Sequence, residues 1–469
     1  ERNCDTDNVT NKMVFKGNIE YLTENEIGIR LRATQQNPSV LPAESLYAIE
    51  HDTMDTTFRS MYQGLYIYLS ARKERRDLLL SQRPPRFDES LDSMISRSED
   101  DFTRIALKAK AAQDYFLLIG PPGTGKTSCA LKKMVETFHA DKDAQILLLS
   151  YTNRAVDEIC KSLASIAPAV DFIRVGSELS CDEAYRGHLI ENELSSCNRR
   201  SEVYERIRNC RIIVGTVAAI SGKPELFRLK HFDVAIIDEA TQILEPQLLG
   251  ILCARGEDGK DAIDKFVLIG DHKQLPAVVQ QNTEQSAIYD ESLLSIGLTN
   301  LKDSLFERLY RNCTATVHRS YDMLCRQGRM HPEVALFANR AFYGGRLIPV
   351  GLPHQIESSD TICRLAFYPS VPEKAGASAK INYSEARIVA DLAVRIYEDH
   401  QADFDESRTL GIITPYRSQI ALIKKEIESL GIPALNRILV DTVERFQGSE
   451  RDVIIYSFCV NYPYQLKFL

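Results

Sequence analysis

No apolar run in this chain approaches the roughly 20 residues needed to cross a bilayer, so no membrane-spanning helix is expected. No signal peptide opens it. None of the eleven cysteines forms a CxxC pair, and their odd number argues against a complete disulfide framework. Buried or free thiols in a reducing compartment are the plain reading, which predicts a cytoplasmic protein, or a nuclear one in a eukaryote. An excess of positive charge is missing too: the formal net charge is −8. That opposes a generally basic coat for nucleic acid but leaves room for a local basic groove. There is no internal repeat and no low-complexity tract. The chain also starts at Glu1 rather than Met, so a fragment or a processed product is expected. Cys4 alone supports no metal or iron–sulfur site.

What is there is ordinary globular material. At 469 residues, 44% hydrophobic and 26% charged, the chain suffices for two to four domains of roughly 100–200 residues each. Residues 13–50 alternate short β-like runs with polar turns, as in Ile19-Glu20-Tyr21-Leu22 and Ile27-Gly28-Ile29-Arg30-Leu31. A small β-barrel-like accessory domain is expected over residues 1–55. From Thr56 the spacing of Phe58, Met61, Leu65 and Leu69 predicts helix, and a helical stalk is expected over 56–98. Gln82-Arg83-Pro84-Pro85-Arg86 interrupts it.

Beyond Ser98, apolar strand candidates alternate with helical stretches. They are Tyr115–Ile119, Gln145–Leu149, Ile212–Val214, Val234–Ile237 and Phe266–Ile269, then Leu410–Ile413, Arg437–Val440 and Val453–Tyr456. Such alternation predicts an α/β fold of parallel sheets joined by crossover helices. Two units are expected, 99–318 and 319–469, with a helical insertion at about 178–209 in the first.

The strongest motif is Gly120-Pro121-Pro122-Gly123-Thr124-Gly125-Lys126-Thr127, followed by Ser128. It fits GxxxxGK[ST] and lies between a strand and a helix, as a phosphate-binding loop requires. Glycines let backbone N–H groups wrap phosphates, and the helix presents its positive end to them. Gly120, Gly123, Thr124, Gly125, Lys126, Thr127 and Ser128 are therefore the candidate nucleotide residues. Lys126 is expected to reach the β- and γ-phosphates, and the Thr127 hydroxyl to ligate Mg²⁺. About 110 residues later, Phe232–Ile237 ends in Asp238-Glu239-Ala240-Thr241-Gln242. An Asp-Glu pair after a strand is by itself more often a helix N-terminal charge. After a phosphate loop, Asp238 is expected to hold Mg²⁺ and Glu239 to orient or deprotonate the attacking water. ATP and Mg²⁺ are the expected cofactors.

Gly270-Asp271-His272-Lys273-Gln274-Leu275-Pro276, taken with these carboxylates, resembles superfamily 1 helicases. The likeness is closer to the 5′→3′ branch that holds the nonsense-mediated-decay RNA helicase and the DNA-replication nuclease-helicase. The fold this implies is a pair of RecA-like P-loop domains with a small amino-terminal barrel and stalk. Cys325-Arg326-Gln327-Gly328-Arg329-Met330-His331-Pro332 and Phe342-Tyr343-Gly344-Gly345-Arg346-Leu347 look like the family's QYRMHP…FYxGxL segment, with Gly328 in place of Tyr. The resemblance implies that Gln274 senses the γ-phosphate and that Arg329 is an arginine finger. Asp441–Asp452 resembles a further motif, which implies that Gln447 and Gly448 line the nucleotide cleft and that Glu450 contacts the sugar.

Thr152, Asn153, Thr216, Thr414 and Thr442 match positions of the family that face the nucleic acid. Short hydroxyl and amide side chains suit phosphate contacts, which position a strand without reading it. Each alone is more often a helix cap or a turn. The expected partner is single-stranded DNA, favoured over RNA, bound by a monomer that moves 5′→3′ and separates strands. A protein-displacing remodeller and a weakly hydrolysing fragment are the alternatives. Phe102 stands where the family has a Gln that reads adenine, so the likeness does not extend to adenine recognition. The family's last motif, with a second arginine finger, has no match up to Leu469. An upstream nuclease domain is expected from the branch, Glu1 and Cys4.

Overall fold

The computed structural model describes residues 15, 17–23, 25–31, 47, 49, 56–279, 281–316, 318–356, 364–373, 380–446 and 448–468. The chain divides into two units, residues 1–63 and 64–469. The first contains an antiparallel hairpin of β1 (Gly17–Leu22) and β2 (Ile27–Leu31), with a register irregularity between Ile19 and Tyr21. Thr23 and Glu26 close its turn, the Glu26 N–H donating to the Thr23 hydroxyl at 3.0 Å. Most of the remaining residues of the barrel expected over 1–55 lie outside the described residues.

The second unit is built on a seven-stranded parallel sheet. Its strands are β3 (Tyr115–Ile119), β4 (Ile146–Ser150), β5 (Phe172–Val175), β6 (Ile212–Thr216), β7 (Phe232–Ile237), β8 (Ile263–Gly270) and β9 (Tyr321–Met323). They lie in the order β5-β6-β4-β7-β8-β3-β9. Leu, Ile and Val runs such as Ile146–Leu149 are buried throughout because helices cover both faces. On one face Ile105, Met134, Val135 and Ile159 pack against Phe116, Leu118 and Leu148. On the other, Leu248, Ile251, Leu305 and Leu309 pack against Leu117, Leu147 and Ala235. Parallel strands put all their C-terminal ends on one edge, so Gly120, Ser150, Thr216, Asp238 and Gly270 sit along it.

Two strands of this sheet escape the sequence patterns. β5 carries Arg174 in its middle, only 1% exposed, and that charge breaks the apolar run. It is tolerated because Asp157 and the Ser180 carbonyl accept its guanidinium N–H groups. β9 carries Asp322, which takes an ion pair from Lys108 at 2.7 Å. β9 pairs with β3, so the position expected as the boundary, 318, precedes the last strand of this sheet.

Next come a two-residue parallel pair, β10 (Arg326–Gln327) and β11 (Ile348–Pro349). A three-stranded parallel sheet follows, ordered β13-β12-β14, from β12 (Leu410–Ile413), β13 (Leu439–Asp441) and β14 (Val453–Tyr456). Helices Tyr383–Asp399 and Arg417–Ser429 cover it through Ala386, Val389, Ile423 and Ile427. The helix expected from Thr56 is real but breaks at Ala71 into Thr56–Ser70 and Lys73–Leu79. No helix among the described residues is long and apolar enough to cross a membrane.

The Gln82–Arg86 segment is tied to the start of β3 by one carboxylate. Asp114, 3% exposed, accepts N–H bonds from both Arg83 guanidinium nitrogens and from the backbone and side chain of Arg86, at 2.7–3.1 Å. Burial by itself would raise the Asp114 carboxyl pKa, but the Arg83 and Arg86 bonds outweigh it and hold it well below the usual range. Asp114→Asn is expected to cost about 2–3 kcal/mol of stability at about pH 7. A depressed native pKa stabilises fully above the unfolded value, near 4, and the effect fades as pH falls below it. Urea unfolding of parent and variant should therefore differ most at neutral pH and converge in acid.

Candidate functional site

The glycine-rich loop leaves β3 at Gly120, whose N–H donates to Gly270 O at 3.0 Å and fastens the loop to the end of β8. The Thr124 hydroxyl closes the turn on Pro121 O at 2.7 Å. Gly123 and Gly125 have φ of 73° and 76°, in the left-handed region that favours glycine. A Cβ on Gly123 would also lie 2.4 Å from the Arg329 Cβ. The helix after the loop opens with a wide turn: Gly125 O accepts from Cys129 N at 3.1 Å and from Ala130 N at 2.9 Å. Turns of that width recur at functional sites.

Four of the expected residues converge where β3 and β7 end. Lys126 Nζ lies 3.2 Å from Glu239 Oε1, and the Thr127 hydroxyl donates to Asp238 Oδ2 at 2.5 Å. Asp238 is 1% exposed. Its other oxygen accepts the Glu239 N–H at 2.9 Å, and its backbone N–H donates to Leu149 O at 2.8 Å. Burial, then the neighbouring Glu239 charge, pushes the Asp238 carboxyl up from its usual value, against the pull of Lys126 and Thr127. Burial would lower the Lys126 ammonium, but Glu239, Asp238 and Asp271 together hold it raised. Glu239 has φ 52° and ψ 37°, a conformation rare for a residue with a side chain. Strain of this kind collects where structure around a site over-determines the backbone. Gln242 Nε2 donates to Glu239 Oε2 at 3.0 Å and steadies it.

Gln274 approaches from the loop after β8, its Nε2 donating to Asp271 Oδ2 at 2.7 Å. Burial and Lys273 keep the His272 pKa low, and its ring packs on Tyr310 at 4.9 Å. Gly328 N–H donates to Gly123 O at 2.8 Å, so the segment carrying Arg329 is bonded to the glycine loop. Arg329 Nε pairs with Glu450 Oε2 at 2.7 Å. Ser128 is exposed on the first helical turn. Gly448 turns with φ 77°, whereas Gln447 lies outside the described residues. Phe102 packs beneath the loop, its ring 3.5 Å from a Cβ position on Gly125.

The residues expected to face a strand have other tasks as well. The Thr152 hydroxyl accepts from Ala155 N at 3.2 Å and caps the helix Asn153–Ala164, whose first residue is Asn153. The Thr216 hydroxyl accepts from Ala219 N at 3.1 Å and caps Val217–Ser221. Ser150 and Thr216 are register partners, so the two caps are neighbours on the edge. Thr414 follows β12 and Thr442 follows β13, again side by side because Ile413 pairs with Asp441. Thr442 is half-buried, but Thr414 is fully buried and its hydroxyl has no hydrogen-bond partner among the described residues. In this conformation that hydroxyl is buried, unlike the half-buried Thr442.

Two supporting residues were not singled out from the sequence. Gln327, 1% exposed, accepts the Arg329 and Met330 N–H groups at 3.1 and 2.8 Å and shapes the turn that presents Arg329. Asp271 orients Gln274. Both stand inside the quoted motifs, and a Gln or Asp that must be buried within an otherwise exposed loop is the signal that marks them.

The oxygens of Thr127 and Asp238 form the hard donor set that a divalent cation such as Mg²⁺ prefers, and a cation there would relieve the buried carboxylates. The arrangement suits a polyphosphate: a glycine turn, a half-buried ammonium, a carboxylate to manage water and an arginine from a second segment.

Comparison with known proteins agrees. One AAA domain model matches residues 97–203 and 190–282, and a second AAA domain model matches 301–465. The chain is 28% identical over 91% of its length to the DNA replication ATP-dependent helicase/nuclease DNA2 of Gallus gallus, and spans 41% of that protein. It is 27% identical over 96% of its length to the DNA replication ATP-dependent helicase/nuclease JHS1 of Arabidopsis thaliana, spanning 34% of it. It is 23% identical over 87% of its length to the DNA polymerase alpha-associated DNA helicase A of Saccharomyces cerevisiae, spanning 67% of that protein. By its motifs, its paired AAA domains and these relatives, the chain belongs to the DNA2/NAM7-like branch of the superfamily 1 helicases.

Proposed function

We propose that this chain couples ATP hydrolysis to 5′→3′ movement along single-stranded nucleic acid, with DNA favoured over RNA, and separates strands as it moves. The observation that carries this reading is the meeting of Lys126, Thr127, Asp238 and Glu239 at one sheet edge, with the Arg329 segment bonded to the glycine loop. Lys126 holds the β- and γ-phosphates, and its present partner Glu239 is released to orient the attacking water. Thr127 and Asp238 would hold Mg²⁺, which would neutralise phosphate charge there. Arg329 leaves Glu450 and turns toward the γ-phosphate, and Gln274 faces the same group. Ser128, Gln447, Gly448 and Glu450 complete the nucleotide contacts.

The strand lies over the ends of β4, β6, β12 and β13, near Thr152, Asn153, Thr216 and Thr442. Thr414 joins this track only if its loop rearranges. Arg154 and Arg451 support the same path. Burial, and then the like charge of Arg154, lowers the Arg451 pKa, and Asp405 raises it. In this reading residues 99–323 form the first RecA-like lobe and 324–469 the second, preceded by the stalk at 56–98 and the accessory domain at 1–55. DNA as substrate is supported by relatives named as DNA replication helicase/nucleases. The chain spans about two fifths of the first of these, and a nuclease domain in the whole protein, a monomeric state and a nuclear or cytoplasmic place belong to the same proposal.

Lys126→Ala should abolish nucleic-acid-stimulated ATP hydrolysis, measured by phosphate release; parental turnover would sink the nucleotide site. Glu239→Gln should keep nucleotide binding and lose about 10²–10⁴-fold in kcat. Affinity for a single strand should fall with salt, by a log–log slope of about −0.7 per phosphate contact. Strand displacement on 5′- and 3′-tailed duplexes of DNA and of RNA tests direction and substrate; displacement from 3′ tails alone would overturn the polarity.

A further inference from the structure

The helix Pro332–Tyr343, with the segment just before it, touches the candidate site at two points. Just before it, Gly328 N–H donates to Gly123 O at 2.8 Å. At its last residue, the Tyr343 hydroxyl donates to Asp271 Oδ2 at 2.7 Å. Its 12 residues span about 18 Å of rigid rod. Its first turn is fixed by Pro332 and by His331, whose Nδ1 accepts from Glu333 N at 3.3 Å. Its last turn is fixed by Gly344 at φ 60° and by Asn339, which both donates to Leu347 O and accepts from Leu347 N at 2.9 Å. The helix is thus fixed at both ends, between the Gly328 contact in the segment before it and the Tyr343 contact at its last residue.

Asp271 has no exposed surface. Its carboxylate accepts three donors: Lys273 N at 3.0 Å, Gln274 Nε2 at 2.7 Å and the Tyr343 hydroxyl. A buried carboxylate deprived of one of three donors seeks another, and the groups nearest to give way are the loop amides and Gln274. Tyr343 is 5% exposed, so its hydroxyl has little access to water as an alternative partner.

We infer that Tyr343 is a positioning residue for the nucleotide site: through Asp271 it ties the orientation of Gln274 to the position of the helix that follows Arg329. Two groups proposed to face the γ-phosphate, Gln274 and Arg329, are thereby set by one rigid element. This rests on the nucleotide reading proposed above, but it concerns a residue that reading does not use.

The test uses the full chain with Tyr343→Phe, which keeps the ring and removes the donor. With saturating single strand, kcat should fall about five- to tenfold while KM for ATP stays within about twofold. Gln274→Ala and the double variant complete the cycle, and the double variant should be no slower than Gln274→Ala alone. Hydrogen exchange without nucleotide gives a second readout: the Lys273 and Gln274 amides should exchange faster in Tyr343→Phe, while the sheet amides keep their protection. Parental kcat in Tyr343→Phe, full additivity in the double variant, or unchanged exchange at Lys273 and Gln274 would each overturn the inference. Lys126→Ala keeps the two claims apart. If it abolishes turnover while Tyr343→Phe does nothing, the nucleotide site stands and this inference falls. If it turns over like the parent, the nucleotide reading falls, and the exchange measurement still decides whether Tyr343 holds the loop.

Discussion

Two carboxylates, an ammonium and a hydroxyl share one desolvated spot at the C-terminal ends of β3 and β7. Asp238 is almost wholly buried beside Glu239; burial pushes its carboxyl up, and Lys126 and the Thr127 hydroxyl pull against that shift. A buried charge cluster of this kind is poor at stabilising a fold. It is costly to assemble, and the apolar layers above and below the sheet supply the compensation. The large cores around Leu117, Leu148, Ala235 and Ile269 therefore hold a site that would not hold itself.

Strand order does the assembling. Gly120 ends β3 and Asp238 follows β7, with β8 between them. In a parallel sheet all three ends meet on one edge, and the Gly120–Gly270 bond locks the glycine loop to the third. Glu239 in its left-handed conformation turns the chain so that its carboxylate faces Lys126. The second part of the chain reaches the same edge by way of two tethers, Gly328 to Gly123 and Tyr343 to Asp271. Loops from both parts of the chain therefore share hydrogen bonds on this edge.

The proposed track for a strand follows a different logic. Thr152 and Thr216 serve as helix caps, and a cap exposes the positive end of its helix at the strand end. Structural and functional readings of these threonines are compatible, because the backbone N–H groups of a capped helix start are the same groups that suit a phosphate. Thr414 differs: its hydroxyl is buried, and no cap uses it.

The sequence by itself determined the glycine loop, the Asp-Glu pair, the alternation of strand and helix and most strand positions, because each depends on local spacing and apolar runs. It did not reveal β5 or β9, since Arg174 and Asp322 break the apolar pattern and are tolerated only through partners distant in sequence. Nor did it reveal the role of Asp114, whose partners are brought near by folding, or those of Gln327 and Asp271, which bond neighbours two or three residues away in turns that folding buries. The burial of Thr414 and the bond from Tyr343 to Asp271 were likewise decided only by tertiary structure. Local spacing fixes which groups are available; which of them lose water, and to whom they then bond, is settled only when the strands are laid side by side.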